Sequence, residues 1–195
     1  YCIFSKVLIV KSIAPEEIYV FSYLINKTQR YLDLLEKKYK SLGSLGLYLV
    51  YDQVDFEDKK VDLIIIVRFY KNWVQTLAPV FPIDDLTIEE KLTVYELVLT
   101  INNELADTSF ELDKDLELIM ISNETHVDAF IFDVFEEEYN AILNAISVFL
   151  ERGKNIFPNI LERIDKGMKK WLDKYAEYLN VFEKREETFD FGEVT

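Results

Sequence analysis

The chain carries one histidine, His126, and Asp128 stands two residues beyond it, the spacing that puts two side chains on the same face of a strand. With Glu124 two residues before it, this trio suggests a metal site or an acid–base pair. Metal binding needs further ligands at matching spacing, and no second histidine exists to supply one. His126 therefore reads as an edge-strand residue near solvent. Asp84-Asp85 and Asp113-Lys114-Asp115 bring paired carboxylates into turns, where hard cations are held. Neither fits a twelve-residue calcium loop with a central glycine and a closing glutamate, and turn and cap chemistry explains both better. Glu136-Glu137-Glu138 is an acidic first turn, favourable to a helix dipole. The single cysteine, Cys2, has no base beside it, and no nucleophile elbow, phosphate loop or dinucleotide fingerprint occurs. No catalytic, cofactor-binding or metal-binding residue is assigned, and no cofactor is expected.

Composition narrows the partners. The 195 residues are half apolar, 14% aromatic and 30% charged, enough for a packed core with a soluble exterior. A net charge of −14 repels nucleic-acid phosphates and anionic membranes alike. Lys37-Lys38 with Lys40, and Lys169-Lys170, are the densest basic groups, and both sit among acids. One cysteine excludes an internal disulfide and fits a reducing, cytoplasmic setting. The longest apolar runs, such as Leu63 to Val67, fall far short of the roughly 20 residues of a membrane helix. Tyr1 to Val10 reads as a strand rather than a leader, and the missing initiator Met leads us to expect residues upstream. Abundant Lys, Glu, Ile and Tyr resembles the composition of heat-adapted proteins.

The elements follow from periodicity. Pro15 with Glu16 and Glu17 opens a helix whose apolar positions Ile18, Phe21, Ile25, Thr28, Leu32, Leu35 and Tyr39 alternate by three and four, as far as Gly43. Strands are expected over Leu47 to Phe56, Val61 to Phe69 and Asn72 to Val80, joined by short polar links into an antiparallel meander. Thr87 and Glu90 form a capping box for a second helix, which carries Leu92, Tyr95, Val98, Leu99 and Ile101 and fades near Asn102. Three more strands are expected over Ser109 to Leu112, Leu116 to Ile121 and Val127 to Val134. A third helix then runs from about Glu136 to Arg152, and a fourth begins near Pro158. This predicts an α+β fold: an antiparallel sheet built from two units of one helix and three strands, helices on one face, and an extra C-terminal helix.

Several stretches carry a family resemblance. Trp73-Val74-Gln75-Thr76-Leu77-Ala78-Pro79 is a Trp-bearing strand ending in proline. Ile101-Asn102-Asn103-Glu104-Leu105 is an Asn-rich helix end. Phe110-Glu111-Leu112-Asp113-Lys114-Asp115 follows a pattern of Phe-x-Leu-Asp-x-Asp, and Phe157-Pro158 closes a helix. In this order, within Ser22 to about Leu161, they resemble the YbjN-like family, whose fold is that of the type III secretion chaperones. The resemblance implies an interaction module, often dimeric, that offers sheet and helix surfaces to a protein partner. It divides the chain into an N-terminal strand extension (1–14), the chaperone-like domain (15–158), a C-terminal helix (159–183) and an acidic tail (184–195).

The two terminal helices bear aromatic seams: Phe21, Tyr31 and Tyr39 on the first, Trp171, Tyr175, Tyr178 and Phe182 on the last. A helix of roughly 25 residues is about 38 Å long, against about 17–20 Å for a strand. An overhanging seam of this kind would make a dimer or partner groove. The expected function is a non-catalytic, chaperone-like or adaptor protein with a protein partner, a second copy of the chain included. The rivals are an enzyme with an unrecognised site, marked by a deep pocket of convergent polar groups, and a structural subunit, marked by a large exposed apolar patch.

Overall fold

The computed structural model describes the backbone of residues 15–42, 46–70 and 72–186, and the side chains of 22–42, 46–70 and 72–176. The N-terminal segment expected to form a strand lies outside these residues, as do Gly43 and the tail from 187, with Phe189 and Phe191.

Helix α1 (Pro15–Leu34) starts at the proline and buries Leu24, Thr28, Tyr31 and Leu32. It ends well before Gly43. Glu36 takes a left-handed backbone (φ 54), and the Lys37 N–H reaches back to the Leu32 carbonyl at 3.0 Å, closing the helix with a Schellman bond. The next residues form an edge strand, β1 (Lys38–Leu42). Leu35 and Tyr39 keep apolar contacts in this arrangement, so the seam that predicted a longer helix is satisfied by a helix followed by a strand.

Strands β2 (Leu47–Phe56), β3 (Lys59–Phe69) and β4 (Trp73–Pro82) are the expected meander. Helix α2 (Ile88–Asn102) opens on the expected capping box, Thr87 and Glu90 bonding reciprocally. Strands β5 (Ser109–Asp113) and β6 (Leu118–His126) follow, then helices α3 (Phe132–Gly153) and α4 (Ile160–Glu186). All pairings are antiparallel, in the order β1-β2-β3-β4-β6-β5. The α+β class and the antiparallel sheet are as expected.

The strands divide four and two, not three and three. Val127 to Val134 is not a strand: Val127–Ala129 is a 3-10 turn, and Phe132 already opens α3. The apolar residues there follow helical rather than alternating spacing, and Phe130 and Phe135 pack onto Tyr31. Strand β6 instead runs on through the polar residues Ser122 to His126. Asn123 donates to the Glu138 carbonyl at 2.9 Å, and Thr125 donates to the Glu138 carboxylate.

The helices do not all lie on one face. The larger core holds Tyr48, Val50, Ile65, Val67, Phe81 and Ile121 on one side of the sheet, under α1, α2, α3 and the start of α4 (Ile160, Ile164, Met168). Leu47, Leu49, Ile66, Leu77, Leu118 and Met120 point to the second face, where Trp171 covers them. Helix α4 thus passes from one face to the other. Gly167 marks the crossing, because a Cβ there would stand 3.0 Å from the Val80 carbonyl oxygen and 3.2 Å from Leu118 Cδ1.

Candidate interaction surfaces

The acidic pairs act in structure. Asp85 bonds Arg163 at 2.9 Å and Lys166 at 2.8 Å, and Asp84 bonds Lys170 at 3.0 Å. The loop before α2 therefore grips three cations spaced along α4. The bonds from Lys166 and Arg163 hold the Asp85 carboxyl down to about 2, against an ordinary value of 3.8. Burial opposes ionisation of Asp84, but Lys170 outweighs it and the net direction is down. A depressed carboxyl stabilises the fold above its unfolded value and loses that contribution as pH falls towards its folded one. Asp85→Asn should therefore flatten the loss of stability between about pH 4 and about pH 2. Denaturant midpoints measured across that window check this, and parallel curves for the two proteins would refute it. Both partners are partly exposed, so the effect at neutral pH should be small.

Asp113 closes the β5–β6 turn, its Oδ1 accepting from the Asp115 and Leu116 N–H groups, each at 3.0 Å. His126 Nδ1 accepts from the Asp128 N–H at 3.3 Å, and its ring meets Trp73 edge-on. It serves as a turn cap at the end of β6. Among the described residues, no group of three or more His, Cys, Asp or Glu is placed to hold a metal ion.

Of the seam aromatics whose side chains are described, Tyr31 and Trp171 point inward and Tyr39 and Tyr175 are half-buried. Tyr31 is buried against Phe130, Phe132 and Phe135, and Trp171 is fully buried on the second face. Neither presents its ring to a partner. Tyr39 lies on β1 rather than on a helix, where it packs on Tyr48 and donates to Asp33 at 2.8 Å. Tyr175 is half-buried and stacks on Trp171 with ring centroids 3.8 Å apart. The side chains of Phe21, Tyr178 and Phe182 lie outside those described.

Two other surfaces lie among the described residues. The first is a groove of about 580 Å³ on the second sheet face. The strand register sets Arg68, Gln75 and Glu124 side by side across β3, β4 and β6. Arg68 Nε donates to Gln75 Oε1 at 2.6 Å, and Gln75 Nε2 donates to Glu124 Oε1 at 3.0 Å. Leu77 and Met120 form an apolar floor. Glu111 stands on β5 opposite Met120, its Oε1 accepting from Ser122 at 2.7 Å. Tyr70 donates to Gln75 at 3.2 Å, and burial pushes its hydroxyl up to about 12, a shift that Arg68 only partly offsets. Trp73, 44% exposed, forms a lip of the groove. Sequence reading passed over it because its residues lie on four strands. The available signal was the alternation of polar groups along Ser122 and Glu124 on one strand and Ser109 and Glu111 on the next.

The second surface is the outer side of α2. Val94, Leu97, Val98 and Ile101 face the core. Ile88, Leu92 and Leu99 point outward at 78%, 61% and 63% exposure, with half-buried Tyr95 between them. Their spacing of four, three and four is that of a helix-packing seam. Among the described residues, no helix is long and apolar enough to cross a membrane.

No family model and no curated protein matches the chain. Solved structures that resemble it include the HopA1–SchA chaperone–effector complex, at 13% identity over 67% of this chain and 96% of that one, with a TM-score of 0.46. Another is the ExsC–ExsE complex, at 12% identity over 67% and 93%, with a TM-score of 0.47. A third is YbjN from E. coli, at 13% identity over 67% and 91%, also with a TM-score of 0.47. The YbjN-like resemblance read from the sequence thus has a counterpart among solved structures.

Proposed function

We propose that the chain is a non-catalytic protein-binding module, chaperone-like or adaptor in kind, acting through its sheet and helix surfaces. The observation that carries this reading is α2, which is apolar on its core side and again on its solvent side. A lone exposed leucine is ordinary, but a continuous helical seam of them suits a partner helix. The occupant we favour is α2 of a second copy, because antiparallel pairing makes the seam self-complementary: Ile88 meets Leu99, and Leu92 meets Tyr95. Parallel pairing would instead bring the acidic first turns, Glu89 and Glu90 of each copy, together.

Light scattering should give twice the 23.1 kDa chain mass for the wild type. The double variant Leu92→Glu, Leu99→Glu should run as a single chain with unchanged circular dichroism, since both positions are already exposed. A wild-type protein that stays a single chain at every concentration tried would remove the seam, and with it the basis of this reading.

A further inference from the structure

We propose that the groove on the second sheet face receives an extended peptide that carries Lys or Arg among apolar side chains. This rests on the protein-binding reading and names the chemistry of the partner. The floor of Leu77 and Met120 and the lip of Trp73 offer apolar contact. The volume of about 580 Å³ accommodates several side chains.

Charge decides which ones. Among the described residues, Glu111, Asp113, Asp115 and Glu124 line the groove against Arg68 and Lys114, an excess of two negative charges. Arg68 donates its Nε to Gln75 and lies 5.2 Å from the Tyr70 ring, which ties its guanidinium to the groove's own lining. Glu111 and Glu124 each accept protein hydrogen bonds only at Oε1 among the described residues, which leaves Oε2 of both to a ligand. The bonds to Oε1 fix both carboxylates in place before any ligand arrives, and such preorganisation lowers the cost of binding. An extended peptide sends alternate side chains to one side, so apolar and cationic residues can reach the floor and the carboxylates together. The sign of the field rejects an acidic peptide, a nucleic acid or an anionic membrane.

The probe is a fluorescein-labelled peptide repeating Lys-Ser-Leu-Ser (the Lys–Leu peptide), which sends Lys and Leu to the same side when extended, read by polarisation, with a Glu-Ser-Leu-Ser peptide of the same length (the Glu–Leu peptide) as its counterpart. The Lys–Leu peptide should bind and the Glu–Leu peptide should not. Glu111→Gln with Glu124→Gln should weaken binding at least about tenfold, the loss typical of a charged contact. Asp55→Asn with Asp58→Asn changes the net charge equally on residues that do not line the groove, and should have little effect. Equal weakening by the two double variants would assign binding to the overall charge of −14 and overturn the proposal. Binding of both peptides, or of neither, would also overturn it. Dimerisation through α2 is read separately by mass, so a failure of peptide binding is distinguishable from a failure of the protein-binding reading. Thermal unfolding of each variant verifies that it is folded.

Discussion

Replacing Trp171 with alanine should lower the unfolding free energy by about 3–5 kcal/mol. For a chain of this size that is a fall of roughly 10 °C in the unfolding midpoint. The indole is fully buried, stacks on Tyr175 and covers Ile66, Leu77 and Leu118. Truncation would leave a cavity between α4 and the sheet, which the surrounding strands can close only in part. Trp171→Phe should cost far less. It keeps most of the apolar contact and removes a buried Nε1–H that has no hydrogen-bond partner among the described residues. Circular dichroism melts of the two variants give the comparison. A Trp171→Ala protein within about 1 kcal/mol of wild type would mean that α4 does not seal the second face.

Asn102→Ala should be the next most damaging change, at about 1–3 kcal/mol. Asn102 Nδ2 donates to the Phe110 carbonyl at 3.0 Å, and its Oδ1 accepts from the Phe110 N–H at 2.7 Å. One side chain thus takes the place of a neighbouring strand for the outer edge of β5. Alanine leaves both backbone groups without a partner beside a buried ring, whereas Asn102→Asp restores only the acceptor and should fall in between. Urea denaturation ranks the three proteins, and amide exchange at Phe110 should quicken in the same order. Equal stabilities would show that water replaces the side chain at no cost.

That contact also explains part of what could be read from the sequence. The Asn-rich helix end and the Phe-x-Leu-Asp-x-Asp strand are two halves of one structural device, the first bonding the second, and the aspartate closes the turn beyond. Local signals of this kind were legible: the capping box of Thr87 and Glu90, the hairpin links, and the helical stretch of α3. Choices that depend on what lies opposite were not. Leu35 and Tyr39 fit a helical seam, yet Glu36 adopts a backbone that residue preference does not announce. Ser122 to His126 looks too polar for an inner strand until Glu138 is seen to bond it from α3. The run Leu63 to Val67 lacks the usual antiparallel alternation because α4 covers the second face, so both sides of β3 are buried at its centre. The seam of α4 shows its helicity but not its change of face, which depends on the small size of Gly167. Likewise, the apolar residues of α2 were visible in sequence, but only burial separates Val94, Leu97 and Ile101 from Ile88, Leu92 and Leu99.

The ends of the sheet govern how far assembly can proceed. At one end Asn102 occupies the backbone groups of Phe110, and at the other β1 is five residues long with Lys38 and Lys40 exposed. Short strands, edge lysines and covered backbone are means by which proteins prevent sheets from joining. The two-fold pairing proposed for α2 would use the same patch on both copies and would be consumed once they meet. Such pairing would yield a finite, closed particle, whereas sheet-to-sheet addition would have no natural stop.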